Sequence, residues 1–283
     1  MRTVDPGQGF ESWRKAARAL LREAVPPGEV IWESNALPSL FEDSAPYAVC
    51  TDKLVVPAAF MDLAKSAACH RDPDRWALLY RILWRIARGG ERALIEISSD
   101  PDMAKARRME KNVRREIHKM HAFVRFRKTD EDTTGRERFV AWFEPDHFII
   151  EAGTPFFVKR FANMDWSIFT PKGCAHWIGD VLKFSPGLAS DPCNDPDVME
   201  EIWRVYYRSI FNPARLKVKM MQTEMPKRYW KNLPEADLIE SLVAESRGRV
   251  DGMLTETPRK VRPLLKNEYL ETLRNLPEVP EVT

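Results

Sequence analysis

The segment Met103–His121 limits the possible folds most, because its apolar and basic residues separate onto two sides of a helix. At about 100° per residue, an arc of roughly 80° holds the apolar side chains Ala106, Met109, Val113, Ile117 and Met120. A second arc of similar width, called here the basic stripe, holds Arg107, Lys111, Arg114, His118 and His121, with Arg108, Arg115 and Lys119 beside it. The pattern predicts a long helix with one face in a core and one basic face in solvent.

The remaining periodicity predicts helices and short strands that do not alternate regularly, which favours an α+β fold, mostly helical, with a small antiparallel or mixed sheet. Further helices are expected over about Phe10–Glu23, Pro57–Cys69, Arg75–Arg88, Phe156–Phe161, 196–211, 234–247 and 264–273. Strands are expected at Glu29–Trp32, Ala122–Arg127, Arg138–Phe143, Trp166–Phe169 and Ala175–Ile178, the second and third as a hairpin. We interpret residues 1–250 as one domain and 251–283 as a tail with a short helix.

Positive charge is concentrated in two segments, although the formal net charge is only +2. Residues 103–128 hold ten Lys and Arg against Glu110 and Glu116, a balance of +8, and residues 212–231 hold six against Glu224, a balance of +5. Such segments typically neutralise phosphates, and aromatic residues among them can stack a base. The predicted nucleic-acid contacts are Arg107, Lys111, Arg114, Arg115, His118, Lys119, His121, Arg125, Arg215, Lys217, Lys219, Lys227, Arg228, Tyr229 and Trp230. The alternative is a solvated helix face paired with neighbouring acids.

Other motifs limit the class of protein. The sequence has no apolar run of about 18 residues and no secretory apolar segment, which favours a cytoplasmic protein without a membrane span. The nucleotide-binding glycine fingerprints are absent, so no cofactor is expected. His118 and His121 are three residues apart, unlike the four of a zinc helix motif, and lie among cations, so no metal is expected.

A pair of residues that can transfer protons follows one predicted strand. Asp146 and His147 can form a general acid/base pair, with His118 and Arg160 as further acid/base and anion-stabilising candidates. The alternative is a turn in which Asp146 bonds the local backbone. No nucleophile motif such as G-x-S-x-G is present.

Four segments resemble an uncharacterised bacterial domain that is commonly labelled a DNA metabolism or DNA repair protein. The resemblance extends from Phe10 to about Met253 and is carried by IHKMHAFVRF (Ile117–Phe126), AWFEPDH (Ala141–His147), PFFVKRF (Pro155–Phe161) and YRSIFNPARLKVKMMQTEMPKRYW (Tyr207–Trp230). That domain occurs beside a radical-SAM protein or fused ahead of an X-type member of the uracil-DNA glycosylase superfamily. The resemblance implies DNA with damaged or modified bases as context, and one of these two proteins as a partner.

Three hypotheses follow. The first is a DNA-binding protein that acts in repair or processing of damaged or modified bases. The second is an enzyme, either a base-excising DNA glycosylase or a phosphodiester hydrolase, that uses the proton-transfer candidates above. The glycosylase loops with their water-activating and His-Pro-Ser motifs have no match here, so that catalytic role does not carry over from the resemblance. The third is an adaptor for a glycosylase or radical-SAM partner.

Overall fold

The α+β class is confirmed by a computed structural model, which describes residues 1–34, 55–131, 137–191, 218–239 and 241–244. The helices are α1 (Phe10–Arg22), α2 (Ala58–Ala67), α3 (Arg75–Ala87), α4 (Pro101–Phe123), α5 (Ile150–Arg160) and α6 (Val218–Glu224), with short 3-10 helices at Pro27–Glu29, Leu94–Glu96 and Lys227–Asn232. The strands are β1 (Arg2–Val4), β2 (Val30–Trp32), β3 (Arg127–Glu131), β4 (Glu137–Trp142), β5 (Asp165–Phe169), β6 (Cys174–Ile178) and β7 (Val181–Ser185).

The larger sheet has its five strands in chain order, β3-β4-β5-β6-β7. All neighbours are antiparallel except β4 and β5, which run parallel with Ala141 opposite Ile168. A parallel pair needs a crossover connection, and α5 lies in the connection between these two strands. The sheet is therefore mixed, and β1 and β2 form a separate parallel pair.

Helix α4 begins at a strong cap and follows the predicted pattern. The Asp100 carboxylate accepts a hydrogen bond from the Met103 backbone N–H at 3.0 Å, and Pro101 occupies the first helical position, where its missing N–H costs little. The apolar arc is buried at Ala106, Met109, Val113 and Met120 and half-buried at Ile117. The basic stripe lies on the more exposed side, as the sequence predicts.

Two clusters of buried residues share α4. The first cluster packs α1, α2 and α3 against the N-terminal half of α4. Met109 is the last residue of α4 that belongs to this cluster. The second cluster packs the C-terminal half of α4, from Val113 onward, against α5, the five-stranded sheet and the segment Tyr229–Ile239. Helix α4 therefore connects the two clusters as one continuous element.

Several predicted boundaries are wrong for local reasons. The strand predicted at Ala122–Arg127 begins only at Arg127, because α4 continues to Phe123 and ends with the Val124 N–H bonded to the Met120 carbonyl. The helix predicted at Phe156–Phe161 already begins at Ile150. Thr154-Pro155 has the sequence pattern of a cap followed by a first-turn proline, yet Thr154 lies inside the helix, where its hydroxyl donates to the Ile150 carbonyl.

Strand β7 was not predicted from the sequence. The predicted helices at 196–211 and 264–273 lie outside the described residues, whereas 236–239 and 241–244 are helical as expected. In the part of the chain that the structure describes, no helix combines the length and apolarity needed to cross a membrane.

Candidate functional site

Four cations and one histidine form a surface on α4, called the basic face: Lys111, Arg114, Arg115, Lys119 and His118. Lys111, Arg114, Arg115 and His118 are exposed, and Lys119 is half-buried. Together with Glu110 and Glu224 they line a groove of about 520 Å³ between α4 and the end of α6. The groove is therefore lined entirely by charged or ionisable side chains, most of them basic.

The acids near the basic face neutralise it only in part. Arg114 lies 3.9 Å from Glu110 one turn away, which is a long and exposed pair that stabilises little. Burial and then the nearby Arg115 and Arg228 cations lower the pKa of Lys119. Within the described ranges, neither Lys111 nor Arg115 forms an ion pair with an acid. The face therefore keeps net positive charge.

Some of the other predicted phosphate contacts are bonded within the protein. Arg125, predicted to bind nucleic acid, pairs with Glu235 at 2.7 Å, and the two side chains are only 14% and 3% exposed. The Arg107 guanidinium donates to the Ile95 carbonyl, although the side chain stays exposed. Lys227 is exposed. Arg215, Lys217 and the side chain of Lys219 lie outside the described residues.

The two aromatic residues of the second basic segment differ in accessibility. Tyr229 is 1% exposed, and its ring stacks on Phe143 with centroids 5.2 Å apart and lies 5.6 Å from Phe123. A base cannot reach this ring, so the predicted stacking role of Tyr229 does not fit the structure. Trp230 is half-buried, with its indole N–H bonded to the Met225 carbonyl at 3.0 Å and Lys227 Nζ 5.6 Å from the ring centroid.

A polar cluster lies behind the basic face, centred on the buried Glu116 carboxylate. Its two oxygens accept the backbone N–H groups of Asp146 and His147, each at 2.8 Å. One oxygen also accepts the Arg228 guanidinium at 2.9 Å and the Tyr229 hydroxyl at 3.3 Å. Burial and the Glu116 charge raise the pKa of Tyr229 to about 12, so the hydroxyl remains a donor. Glu116 thus holds two distant segments against α4.

Asp146 and His147 lie in this cluster but do not pair with each other. The Asp146 carboxylate binds the guanidinium groups of Arg71, at 3.3 Å, and Arg228. His147 Nδ1 accepts the Arg71 backbone N–H at 3.2 Å, so its proton is on Nε2. Burial lowers the pKa of His147. These contacts connect three segments of the chain. The Asp146 carboxylate does not bond the His147 imidazole, whereas in an acid/base pair the carboxylate would orient the imidazole.

The remaining catalytic candidates lie elsewhere. His118 belongs to the basic face, and the Arg160 guanidinium at the end of α5 lies 5.7 Å from the Phe161 ring centroid. Across the described segments, neither side chain has a hydrogen bond or ion pair to Asp146 or His147. The structure therefore brings Asp146, His147 and Tyr229 together through Glu116 and leaves His118 and Arg160 apart.

Comparison with known protein families matches residues 73–235 to DUF4130, a domain of unknown function. The match covers more than half of the 283 residues. The chain belongs to this family. No curated protein and no solved structure matches the chain. The DUF4130 region contains the whole of α3 and α4, the five-stranded sheet and the polar cluster except for Arg71.

Sequence reasoning missed Glu116, which is the centre of the polar cluster in this DUF4130 domain. The angular position of Glu116 on the helix could have indicated its burial. It falls about 20° beyond the edge of the apolar arc, next to Met109 and away from the basic stripe. His70 was also missed. Its ring lies 4.3 Å from that of His147, and burial together with His147 lowers its pKa to about 4. Nothing in the local sequence indicates this contact between distant segments.

Proposed function

We propose that this DUF4130 protein binds DNA through the basic face of α4 and acts in the repair or processing of damaged or modified bases. The observation that carries the proposal is the groove of about 520 Å³ lined by Lys111, Arg114, Arg115, His118 and Lys119. Lys and Arg on one surface neutralise phosphates and release counterions, which supplies the sequence-independent part of DNA affinity.

The length of the face suits several phosphates. Lys111 and Lys119 are eight residues apart on α4, which corresponds to about 12 Å along the helix axis. One strand of B-form DNA carries a phosphate about every 3.4 Å along its axis, so roughly three phosphates span this distance. The number of cations on the face is therefore comparable to the number of phosphates it would meet.

The opposite side of α4 is held rigidly. Glu116 binds the backbone at Asp146 and His147 together with Arg228, and Val113 and Met120 are fully buried in the second cluster. A binding surface on a fixed helix loses little conformational entropy when it meets its ligand. This arrangement supports a role for α4 as the element that presents the basic face.

The repair context rests on the sequence resemblance to the domain that accompanies glycosylase-superfamily and radical-SAM proteins. Such a partner would carry out the reaction on the damaged or modified base of the DNA, while the basic face would hold the DNA backbone. Asp146 and His147 do not form an acid/base pair here, so we do not assign them a catalytic step.

The DNA-binding proposal is tested by neutralising two cations of the face. Lys111→Gln together with Arg115→Gln should weaken binding to a fluorescein-labelled DNA oligonucleotide by roughly tenfold or more in fluorescence anisotropy at 100 mM salt, since two phosphate contacts are lost. The matched control is Lys15→Gln with Arg18→Gln on the exposed side of α1, which removes the same charge. Equal affinities for the wild type and the α4 variant, or equal weakening by both variants, would contradict the proposal.

The repair context has a separate test. The wild-type protein should bind an oligonucleotide with one uracil or one abasic site more tightly than the unmodified oligonucleotide of the same sequence. Identical affinities across this panel would remove the repair context and leave a general DNA-binding protein.

A further inference from the structure

The basic face of α4 leads to an exposed aromatic pair. One turn beyond His118, the imidazole of His121 stacks on the ring of Phe156 from α5, with centroids 4.2 Å apart and an interplanar angle of 20°. Phe156 is 43% exposed, whereas His121 is only partly exposed. Part of the Phe156 ring therefore lies open to solvent one helical turn beyond His118, a residue that lines the groove.

The position of this pair is fixed by its surroundings. His121 Nε2 donates to the Gly153 carbonyl at 2.9 Å, which defines the ring orientation. A Cβ on Gly153 would lie only 2.7 Å from Met120 Sδ, so the glycine permits the close approach of α5 to α4 at this point. Phe156 also forms an edge-to-face contact with Phe157, which is 2% exposed. The exposed ring is therefore presented on a rigid support.

Further cations flank the exposed ring. Lys159 and Arg160 are exposed and follow Phe156 by three and four residues on α5, the spacing at which helix side chains are neighbours. On α4 the cation Arg114 precedes His121 by seven residues, on the same side of the helix. An aromatic ring between cations on a groove is the arrangement by which proteins hold single-stranded nucleic acid, with bases stacked and phosphates neutralised.

We propose that the His121–Phe156 pair is a stacking site for a base of single-stranded nucleic acid whose phosphates lie on the basic face. This inference rests on the proposed function and specifies its ligand. A base inside a duplex is covered on both faces by its neighbours, so only an unpaired or extruded base offers a face to Phe156. The strand would run along α4, and one of its bases would stack on Phe156 at the end of the groove.

Phe148 supplies an internal control, because it is also 43% exposed. Two cations already cover its ring, with Lys172 Nζ 4.7 Å and Arg75 Cζ 5.2 Å from the centroid. It lies before α5 begins, next to His147 in the chain, and it is not among the residues that line the groove. Phe148→Ala therefore removes a ring that is as exposed as Phe156 and leaves His121 and Phe156 in place.

The test compares three probes of equal length by fluorescence anisotropy: a single-stranded oligo(dT), a strand with an abasic unit at every position, and a DNA duplex. The wild type should bind oligo(dT) about 5- to 100-fold more tightly than the fully abasic strand, as expected for loss of a stacked base. Phe156→Ala should lose this preference, Phe156→Tyr should retain it, and Phe148→Ala should behave as the wild type. The duplex should bind more weakly than oligo(dT).

The outcomes separate this inference from the proposed function. Salt-dependent binding of the wild type with equal affinity for oligo(dT) and the abasic strand would overturn the stacking site and leave the phosphate-binding face intact. Loss of the preference in Phe148→Ala but not in Phe156→Ala would also overturn it. Failure of the wild type to bind any of the three probes would overturn the proposed function and this inference with it.

Discussion

The two clusters that share α4 are stabilised by different kinds of contact. In the first cluster, the buried side chains of α1, α2 and α3 are apolar or aromatic, such as Trp13 and Tyr80. We call the elements around the first and second clusters the first and second regions. Every buried polar or charged side chain among the described residues lies in the second region: Glu116, His147, Thr154, Asp165, Thr170 and Glu235. The second region thus combines an apolar core with buried groups that need specific partners.

The difference indicates how each region is specified. Glu116 and Arg228 are 112 residues apart in sequence, and Arg125 and Glu235 are 110 apart. A buried polar group stabilises a fold only when its partners are in place, so these pairs select one arrangement of distant segments. In the first region the ion pairs lie nearer the surface, as with Arg85 and Glu91. Single charge removals should therefore affect the second region far more.

The largest effect is expected for Glu116→Ala. The substitution leaves the backbone N–H groups of Asp146 and His147 without their acceptor, and it leaves the Arg228 guanidinium with the Asp146 carboxylate as its remaining acid. We expect a loss of about 3–5 kcal/mol in the free energy of unfolding, measured by urea denaturation. Glu110→Ala on the same helix removes an identical charge from a partly exposed position and should cost less than about 0.5 kcal/mol. Similar costs for both variants would contradict the structural role of the cluster.

The next largest effect concerns the nearly buried pair of Arg125 and Glu235. Glu235→Ala leaves the Arg125 charge without this carboxylate at 14% exposure, and we expect a cost of about 3 kcal/mol. Arg125→Met combined with Glu235→Leu should recover most of this loss, because both charges are then removed from a largely apolar site. If the double variant were no more stable than Glu235→Ala in urea denaturation, the loss of the Glu235 carboxylate opposite Arg125 would not be the cause.

A smaller effect is expected on the pH dependence of stability. Burial and the neighbouring His147 lower the pKa of His70 to about 4, whereas an unfolded histidine titrates near 6.5. The unfolded state therefore binds more protons between these values, and stability should fall as the pH decreases from about 6.5 to 4. Thermal melts across this range should show a shallower decline for His70→Asn. The wild-type pH profile in His70→Asn would contradict this assignment.

The smallest effect is expected in the first region. Arg85 contacts Glu91 at 2.7 Å and Asp100 at 2.8 Å with 30% of its own side chain exposed. Arg85→Gln should lower the free energy of unfolding by about 0.5–1 kcal/mol, and the difference should shrink at high salt because the pairs are screened. A cost as large as that of Glu116→Ala would remove the distinction between the two regions.

Features that depend on local periodicity could be predicted from the sequence. The apolar arc of α4 and the helices α1, α2 and α3 follow from spacing within one segment, and the bounds of these three agree within about two residues. The polar cluster depends on contacts between segments that spacing cannot relate. The basic neighbours of Tyr229 favoured an exposed ring, yet the ring is buried while Arg228 reaches Glu116 and Asp146. Arg228 is itself exposed, and its long side chain reaches the buried Glu116 carboxylate from the surface.

The central claim is that the basic face of α4 holds phosphates, and the salt dependence of binding tests it most directly. The logarithm of the dissociation constant should rise linearly with the logarithm of the NaCl concentration for the wild type bound to oligo(dT). Each phosphate contact on a single strand adds about 0.7 to the slope, so Lys111→Gln with Arg115→Gln should lower the slope by about 1.4. The same slope for this variant and the wild type would contradict the account.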